Sequence, residues 1–212
     1  MNPYIVKQGD YLDKIAHALR FDADKVWNDP ANAELKKQRD PDVLLPGDIL
    51  QVPEVEPQWL PFQSGVTNRY VATIPKASVR LTFKNDKGPL ANEPYAVLGL
   101  ASTQEGTTDG DGGLVLTIPV VVRECQVAFP QQGIVHAVRV GDMDPIDDPS
   151  GVRKRLQHLG YGRPPGDAAP SEDEVEAADQ VAILAFQKDS ALPLTGVVDD
   201  ATKAALIKAH GT

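Results

Sequence analysis

The 212-residue chain predicts an α+β multidomain protein. It comprises an N-terminal βααβ module, a middle antiparallel β-sandwich and a C-terminal three-helix module. Three observations predict this. Apolar residues at helical spacing are confined to the two ends, and short alternating runs between Gly, Asp and Pro turns fill the middle. A proline-flanked stretch, Pro53-Glu54-Val55-Glu56-Pro57, reads as an extended linker after the first module. The boundaries that follow are residues 1–53, a linker over 54–68, a β domain over 69–148 and a helical module over 149–212.

Tyr4-Ile5-Val6 opens the first module as a short strand, followed by a turn at Gln8-Gly9-Asp10. Leu12, Ile15, Ala16 and Leu19 then fall on one helical stripe, with Asp10 placed to cap it. Asp22 precedes a second helix carrying Val26 and Trp27. The turn Leu44-Leu45-Pro46-Gly47-Asp48 leads into the strand Ile49-Leu50-Gln51-Val52, which Pro53 stops. This pattern resembles a LysM domain. Two departures stand out: Tyr11 occupies a position where Thr or Ser is usual, and residues 28–44 are longer than in compact members of that family. The resemblance implies a shallow groove for N-acetylglucosamine units of peptidoglycan. It would be built from Gly9, Asp10, Tyr11 and Leu12 on one loop and Leu45, Pro46 and Gly47 on the other, with Asn28 and Pro30 nearby. Gly9, Pro46 and Gly47 are explained at least as well as plain turn residues.

The middle segment offers strands at Tyr70–Ile74, Val79–Phe83, Tyr95–Leu100, Leu114–Ile118, Cys125–Phe129 and Ile134–Val140. Turn signals at Asn85-Asp86-Lys87-Gly88-Pro89 and Asp109-Gly110-Asp111-Gly112-Gly113 punctuate them. The latter stretch resembles a hairpin of transthyretin-like or carboxypeptidase-regulatory-like sandwiches. Asp109 and Asp111 lack the further oxygens of a calcium loop, so a hairpin turn is the better reading.

In the last module, Val152, Leu156 and Leu159 share a stripe, Ser150 is a candidate cap, and Gly160 closes the helix. Ser171 and Glu174 form a capping-box pattern ahead of a helix whose Val175, Ala178, Val181, Ala182 and Ala185 should face inward. Asp199 caps a last helix with Thr202, Ala205 and Leu206. Leu156-Gln157…Leu159-Gly160-Tyr161, Ala185-Phe186-Gln187 and Thr195-Gly196-Val197-Val198-Asp199…Thr202 resemble the three-helix peptidoglycan-binding domain. That resemblance makes Tyr161 and Gln187 candidate glycan contacts. The loop Arg163 to Ser171 departs from the family's usual Asp-Gly-x-Phe-Gly-x-x-Thr segment.

Composition narrows the function. A net charge of −9 without a basic stripe argues against nucleic acid and against anionic membrane surfaces. No stretch approaches the roughly 20 apolar residues needed to span a bilayer, so no membrane insertion is expected. Met1 to Leu12 shows neither a basic n-region nor an apolar h-region, which predicts cytoplasmic synthesis without a signal peptide. His17, His136, His158 and His210 are isolated and Cys125 is alone, so no metal site, cofactor or catalytic residue is expected. The layout resembles proteins encoded beside type VI secretion and related contractile injection machines. It implies a non-catalytic peptidoglycan-binding accessory or cargo adaptor, which a contractile machine delivers to the periplasm or a target cell. The β domain would dock a secretion spike, an effector or a wall hydrolase. The alternative is a purely structural protein–protein clip in a phage-tail-like baseplate or spike, with no glycan bound. On the first reading, deleting residues 1–53 should weaken wall binding more than deleting 149–212.

Overall fold

The computed structural model describes residues 1–54, 59–85, 87–162 and 171–211. The linker residues Val55 to Pro57, Asp86 of the first predicted turn and the loop Arg163 to Pro170 lie outside the described residues. The chain divides into two compact units, Met1–Asp142 and Met143–Thr212.

The first unit begins with β1 (Asn2–Ile5), which pairs antiparallel with β2 (Ile49–Val52) so that Ile5 faces Ile49 and Asn2 faces Val52. Between them run α1 (Leu12–Leu19), α2 (Ala23–Trp27), a 3₁₀ turn (Pro30–Asn32) and α3 (Ala33–Gln38). The last two elements occupy the enlarged segment of the sequence and add a helix to the expected βααβ order. Val6, Leu12, Ile15, Val26, Trp27, Leu44, Leu50 and Val52 make the core. Asp22 caps α2 as expected, accepting from the Lys25 N–H at 2.9 Å. Asp10 does not cap α1. The cap position is Tyr11, without a side-chain bond, because the Asp10 carboxylate is turned to other partners. Asn32 fastens the enlarged segment to β2. Its buried amide donates to the Val26 and Gln51 carbonyls at 2.9 Å each and accepts from the Gln51 N–H at 2.7 Å.

In the β part of this unit the first predicted strand does not form: Tyr70–Ile74 is exposed and has no sheet neighbour among the described residues. The strands are β3 (Lys76–Thr82), β4 (Lys84–Asn85), β5 (Gly88–Pro89), β6 (Pro94–Leu98), β7 (Gln104–Thr107), β8 (Gly113–Pro119), β9 (Glu124–Phe129) and β10 (Ile134–Arg139). A four-stranded antiparallel sheet has the order β10-β9-β6-β7; β3 pairs with β8, and β4 with β5. Strand β7 was not anticipated, since Gln104-Glu105-Gly106-Thr107 carries no apolar alternation. The β6, β8 and β9 side chains Val97, Leu116, Ile118, Val127 and Phe129 share one core, with Val79 and Leu81 of β3 packed on it. Cys125 is buried there, and burial pushes its thiol up. His136 lies against Phe83 with ring centroids 5.0 Å apart, and burial holds its pKa below the ordinary value. The Asp109 carboxylate serves the turn, accepting from the Asp111 and Gly113 N–H groups at 2.9 and 2.6 Å. Gly112 is required there: it has φ +78°, and a Cβ would stand 2.4 Å from the Phe83 carbonyl oxygen.

The second unit contains α4 (Pro149–His158), α5 (Glu172–Asp189) and α6 (Asp200–His210) around Val152, Leu156, Ala182, Ile183, Phe186 and Leu206. Asp148 caps α4, accepting from the Ser150 N–H at 2.8 Å, with Pro149 at the first helical position. Ser150 is therefore inside the helix, and its hydroxyl donates to Asp148 and Asp144. Gly160 and Tyr161 close α4 in a Schellman motif, with Tyr161 N–H on Leu156 O at 2.9 Å and Gly160 N–H on Gln157 O at 3.0 Å. The capping box of Ser171 and Glu174 forms on α5. Ala182 of that helix is buried as expected, with Ile183 and Phe186 beside it, whereas Val181 and Ala185 face solvent against the expected stripe.

Replacing Asn32 by Ala removes the amide and leaves the Gln51 N–H without its partner. A loss of about 2–3 kcal/mol is expected in denaturant unfolding of the first unit. In the second unit, His158 Nδ1 and His210 Nε2 are 3.0 Å apart. Burial, with the neighbouring His158 and Arg155 charges, lowers His210 from 6.5 to about 4. A depressed histidine contributes stability that is complete above 6.5 and lost as pH falls towards about 4. The unfolding midpoint of the second unit should fall through that window, and His210→Gln should flatten the fall.

Candidate functional site

In the first unit the loops expected to grip sugar do approach each other. Leu12 N–H donates to the Pro41 carbonyl and Gly47 N–H to the Val6 carbonyl, both at 2.9 Å. Their side chains, however, are used inside the protein. Tyr11 is 4 % exposed and belongs to the β core, where its hydroxyl donates to the Val120 carbonyl at 3.3 Å. Burial, followed by the Asp13 and Asp42 charges, pushes it up to about 12. Leu12 is buried in the core of its own module. Asp10 accepts from the Tyr4 hydroxyl at 2.8 Å and the Lys7 N–H at 3.1 Å, and pairs with Lys14 at 3.2 Å. Burial pushes the Asp10 carboxyl up, but those three partners hold it below its usual value. Burial, followed by the hydrogen bond to Asp10 and its negative charge, takes Tyr4 up to about 12.

The reason for this arrangement lies in Gly141. At φ +77°, it brings the β-domain backbone so close that a Cβ would lie 2.8 Å from the Gly9 carbonyl oxygen and 2.9 Å from Tyr11 Cδ1. Gln8 Nε2 donates to Asp142 Oδ1 at 3.1 Å beside it. The β domain thus occupies the side of the loop that Tyr11 was expected to offer to sugar, while Leu12 and Asp10 are used within their own module. Asn28 is exposed, but its amide is engaged locally: Nδ2 donates to Asp24 O at 2.7 Å and Oδ1 accepts from Lys36 at 2.5 Å. Pro30, Pro46 and Gly47 remain exposed, Gly9 and Leu45 half-buried.

In the second unit Gln187 is 0 % exposed. Its Nε2 donates to Thr195 Oγ1, Val197 O and Thr202 Oγ1 at 3.0, 2.9 and 3.1 Å, and its Oε1 accepts from the Thr195 and Gly196 N–H groups at 3.1 and 3.0 Å. It is the latch of the loop before α6 rather than a surface for glycan. Asp199 also acts structurally, capping α6 through Thr202 N–H at 2.8 Å and the Thr202 hydroxyl at 2.7 Å. Tyr161 lies edge-on to Phe186 and donates to Asp189 at 3.1 Å.

The concavity of this unit lies elsewhere. An open groove of about 260 Å³ has an apolar floor of Ile146, Val152, Leu156, Ile183 and Val198. Two ion pairs rim it. Arg153 Nε donates to both Asp179 oxygens at 2.9 Å and its Nη2 to Oδ2 at 2.6 Å; Lys203 meets Asp147 at 2.6 Å. The Asp179 hydrogen bonds raise the Arg153 pKa further, and the Asp147 bond does the same for Lys203. Arg155 is buried beneath α4, donating to the Asp144 and Gly151 carbonyls at 2.8 and 2.9 Å. Sequence reasoning missed the groove, because its rim pairs residues 26 and 56 positions apart and no local spacing signals them.

Residues 147–206 match the family model of a putative peptidoglycan binding domain. The matched span takes in the rim and nearly all of the floor. No curated protein and no solved structure matches the chain. The matched segment thus lies within the second unit, and no described helix is long and apolar enough to cross a membrane.

Because Gly141 has no room for a side chain, Gly141→Val should force the N-terminal loop off the β domain. The expected result is a loss of several kcal/mol in the stability of the first unit, with Tyr11 becoming accessible to nitration.

Proposed function

We propose that the chain is a non-catalytic peptidoglycan-binding protein whose glycan-contacting surface is the groove between α4, α5 and α6. The observation that carries this is the coincidence of the groove with the matched family segment. Its chemistry suits a muropeptide. Methyl groups of N-acetyl, lactyl and alanyl units can cover the apolar floor, while amides meet the rim. The same proposal includes an accessory or cargo-adaptor role, with a secretion spike, effector or wall hydrolase docked on the β domain and delivery by a contractile machine.

For the N-terminal LysM-like module, a second reading is favoured by the burial of Tyr11. This module is a protein clip that holds the β domain and leaves sugar binding to the other unit. This reverses the expectation that residues 1–53 carry the larger share of wall binding.

Co-sedimentation with insoluble peptidoglycan tests both readings on the full-length chain. The double variant Arg153→Ala, Lys203→Ala should lose bound fraction several-fold, whereas Asn28→Ala and Pro46→Ala should bind as the parent does. Undiminished binding by the folded double variant would sink the groove assignment. Loss in the Asn28 or Pro46 variant would return the site to the N-terminal module. No soluble muropeptide should be released in any of these incubations.

A further inference from the structure

The segment from Trp59 to Pro75 is the largest apolar feature left unused by either reading. Trp59 is 93 % exposed, Phe62 77 % and Val71 83 %, with Leu60, Val66, Tyr70 and Ile74 also exposed. Apolar side chains scattered singly on a surface call for no explanation, but seven exposed large apolar side chains within one short segment, three of them aromatic, do. The segment carries one charged residue, Arg69, in a chain that is 24 % charged.

It is nevertheless built. The Asn68 side chain imitates a strand neighbour, accepting from the Gln63 N–H at 2.9 Å and donating to the Gln63 carbonyl at 2.8 Å. The Tyr70 hydroxyl closes the loop on the Pro61 carbonyl at 2.6 Å. Trp59 and Phe62 therefore project from a preorganised loop, which reduces the ordering cost of binding. Tyr70-Val71-Ala72-Thr73-Ile74 has the composition of a strand, yet no sheet neighbour among the described residues. A run with strand composition and no neighbour is a template for another chain.

We propose that this segment is a self-association surface, on which two copies of the chain meet about a twofold axis. The Tyr70–Ile74 backbones pair antiparallel, and Trp59 and Phe62 of each copy cover the other's apolar face. A second copy fits for reasons of charge and area. Two chains of net charge −9 repel over most of their surface, and this segment, without an acidic residue, is where they can approach. An aromatic side chain offers roughly 150–250 Å². Pairing would then bury on the order of 500 Å² per copy, or about 1,000 Å² in all, the lower limit for a specific interface. The surface is isologous, so association stops at the dimer.

Sedimentation velocity and light scattering on the full-length protein, over concentrations from about 1 μM to 1 mM, give the mass. Tryptophan emission identifies the surface, because Trp27 is buried and Trp59 is the exposed one. The expected result is a monomer-to-dimer transition with a parallel blue shift, strengthened by added salt as net repulsion is screened. Trp59→Ser and Phe62→Ser should each raise the dissociation constant at least tenfold. Thr73→Pro should do the same by blocking the backbone pairing while leaving the aromatics in place. Far-UV circular dichroism verifies that each variant is folded. A monomer at every concentration overturns the proposal, as does a dimer that withstands these substitutions. So does a blue shift that appears only when peptidoglycan or zwitterionic lipid vesicles are added while the mass stays monomeric.

Discussion

Tyr11 decides how the first unit is organised. It stands at the cap position of α1, yet its ring lies in the β core and its hydroxyl on Val120 O. Burying an aromatic ring is among the larger single contributions available to a small domain, and the hydroxyl keeps its hydrogen bond. With only 6 % aromatic residues in the chain, a ring lent across modules matters to both. The module that lends it keeps its own core of Leu12, Ile15, Val26, Trp27 and Leu50, but the loop around Tyr11 is no longer a free surface. The Tyr11 side chain is in effect a plug between the loop and the β core.

Irregular segments in both units are held by buried amides. Asn32 ties the 3₁₀ turn to the β2 backbone, and Gln187 ties the loop before α6 to α5. A carboxamide suits this work because it donates and accepts at once, so it can stand in for a strand neighbour. The half-buried Asn68 does the same for the loop at residues 63–68. Where a small domain cannot supply a further strand, one amide supplies the two hydrogen bonds that the strand would have made.

The elements with strong local signals were legible in the sequence. The stripe Leu12, Ile15, Ala16, the alternation of Val79, Leu81 and Phe83, and the Ser171–Glu174 box all specify their structures within a few residues. Errors arose where a residue satisfies two rules. Asp10 has the position of a cap but is drawn to Tyr4, Lys7 and Lys14; Gln187 has the polarity of a contact residue but fills an interior. Tyr70–Ile74 has strand propensity without a partner, and propensity alone cannot supply one. Among the candidate sites, the motifs of the C-terminal module fall in the segment that the family model matches. The groove itself depends on pairings between distant helices, such as Arg153 with Asp179, that no linear pattern encodes.

The rim of that groove has a consequence for selectivity. Arg153 and Lys203 each already hold a carboxylate, so the mouth is electrically balanced rather than cationic. A ligand approaching it meets dipoles and aliphatic surface more than net charge. An incoming anion must compete with Asp179 or Asp147 for its cation, and long-range attraction contributes little. Selection would then rest on shape and on neutral groups such as amides and acetyl methyls. Occupancy would be nearly indifferent to ionic strength, allowing the same groove to work in dilute and in saline surroundings.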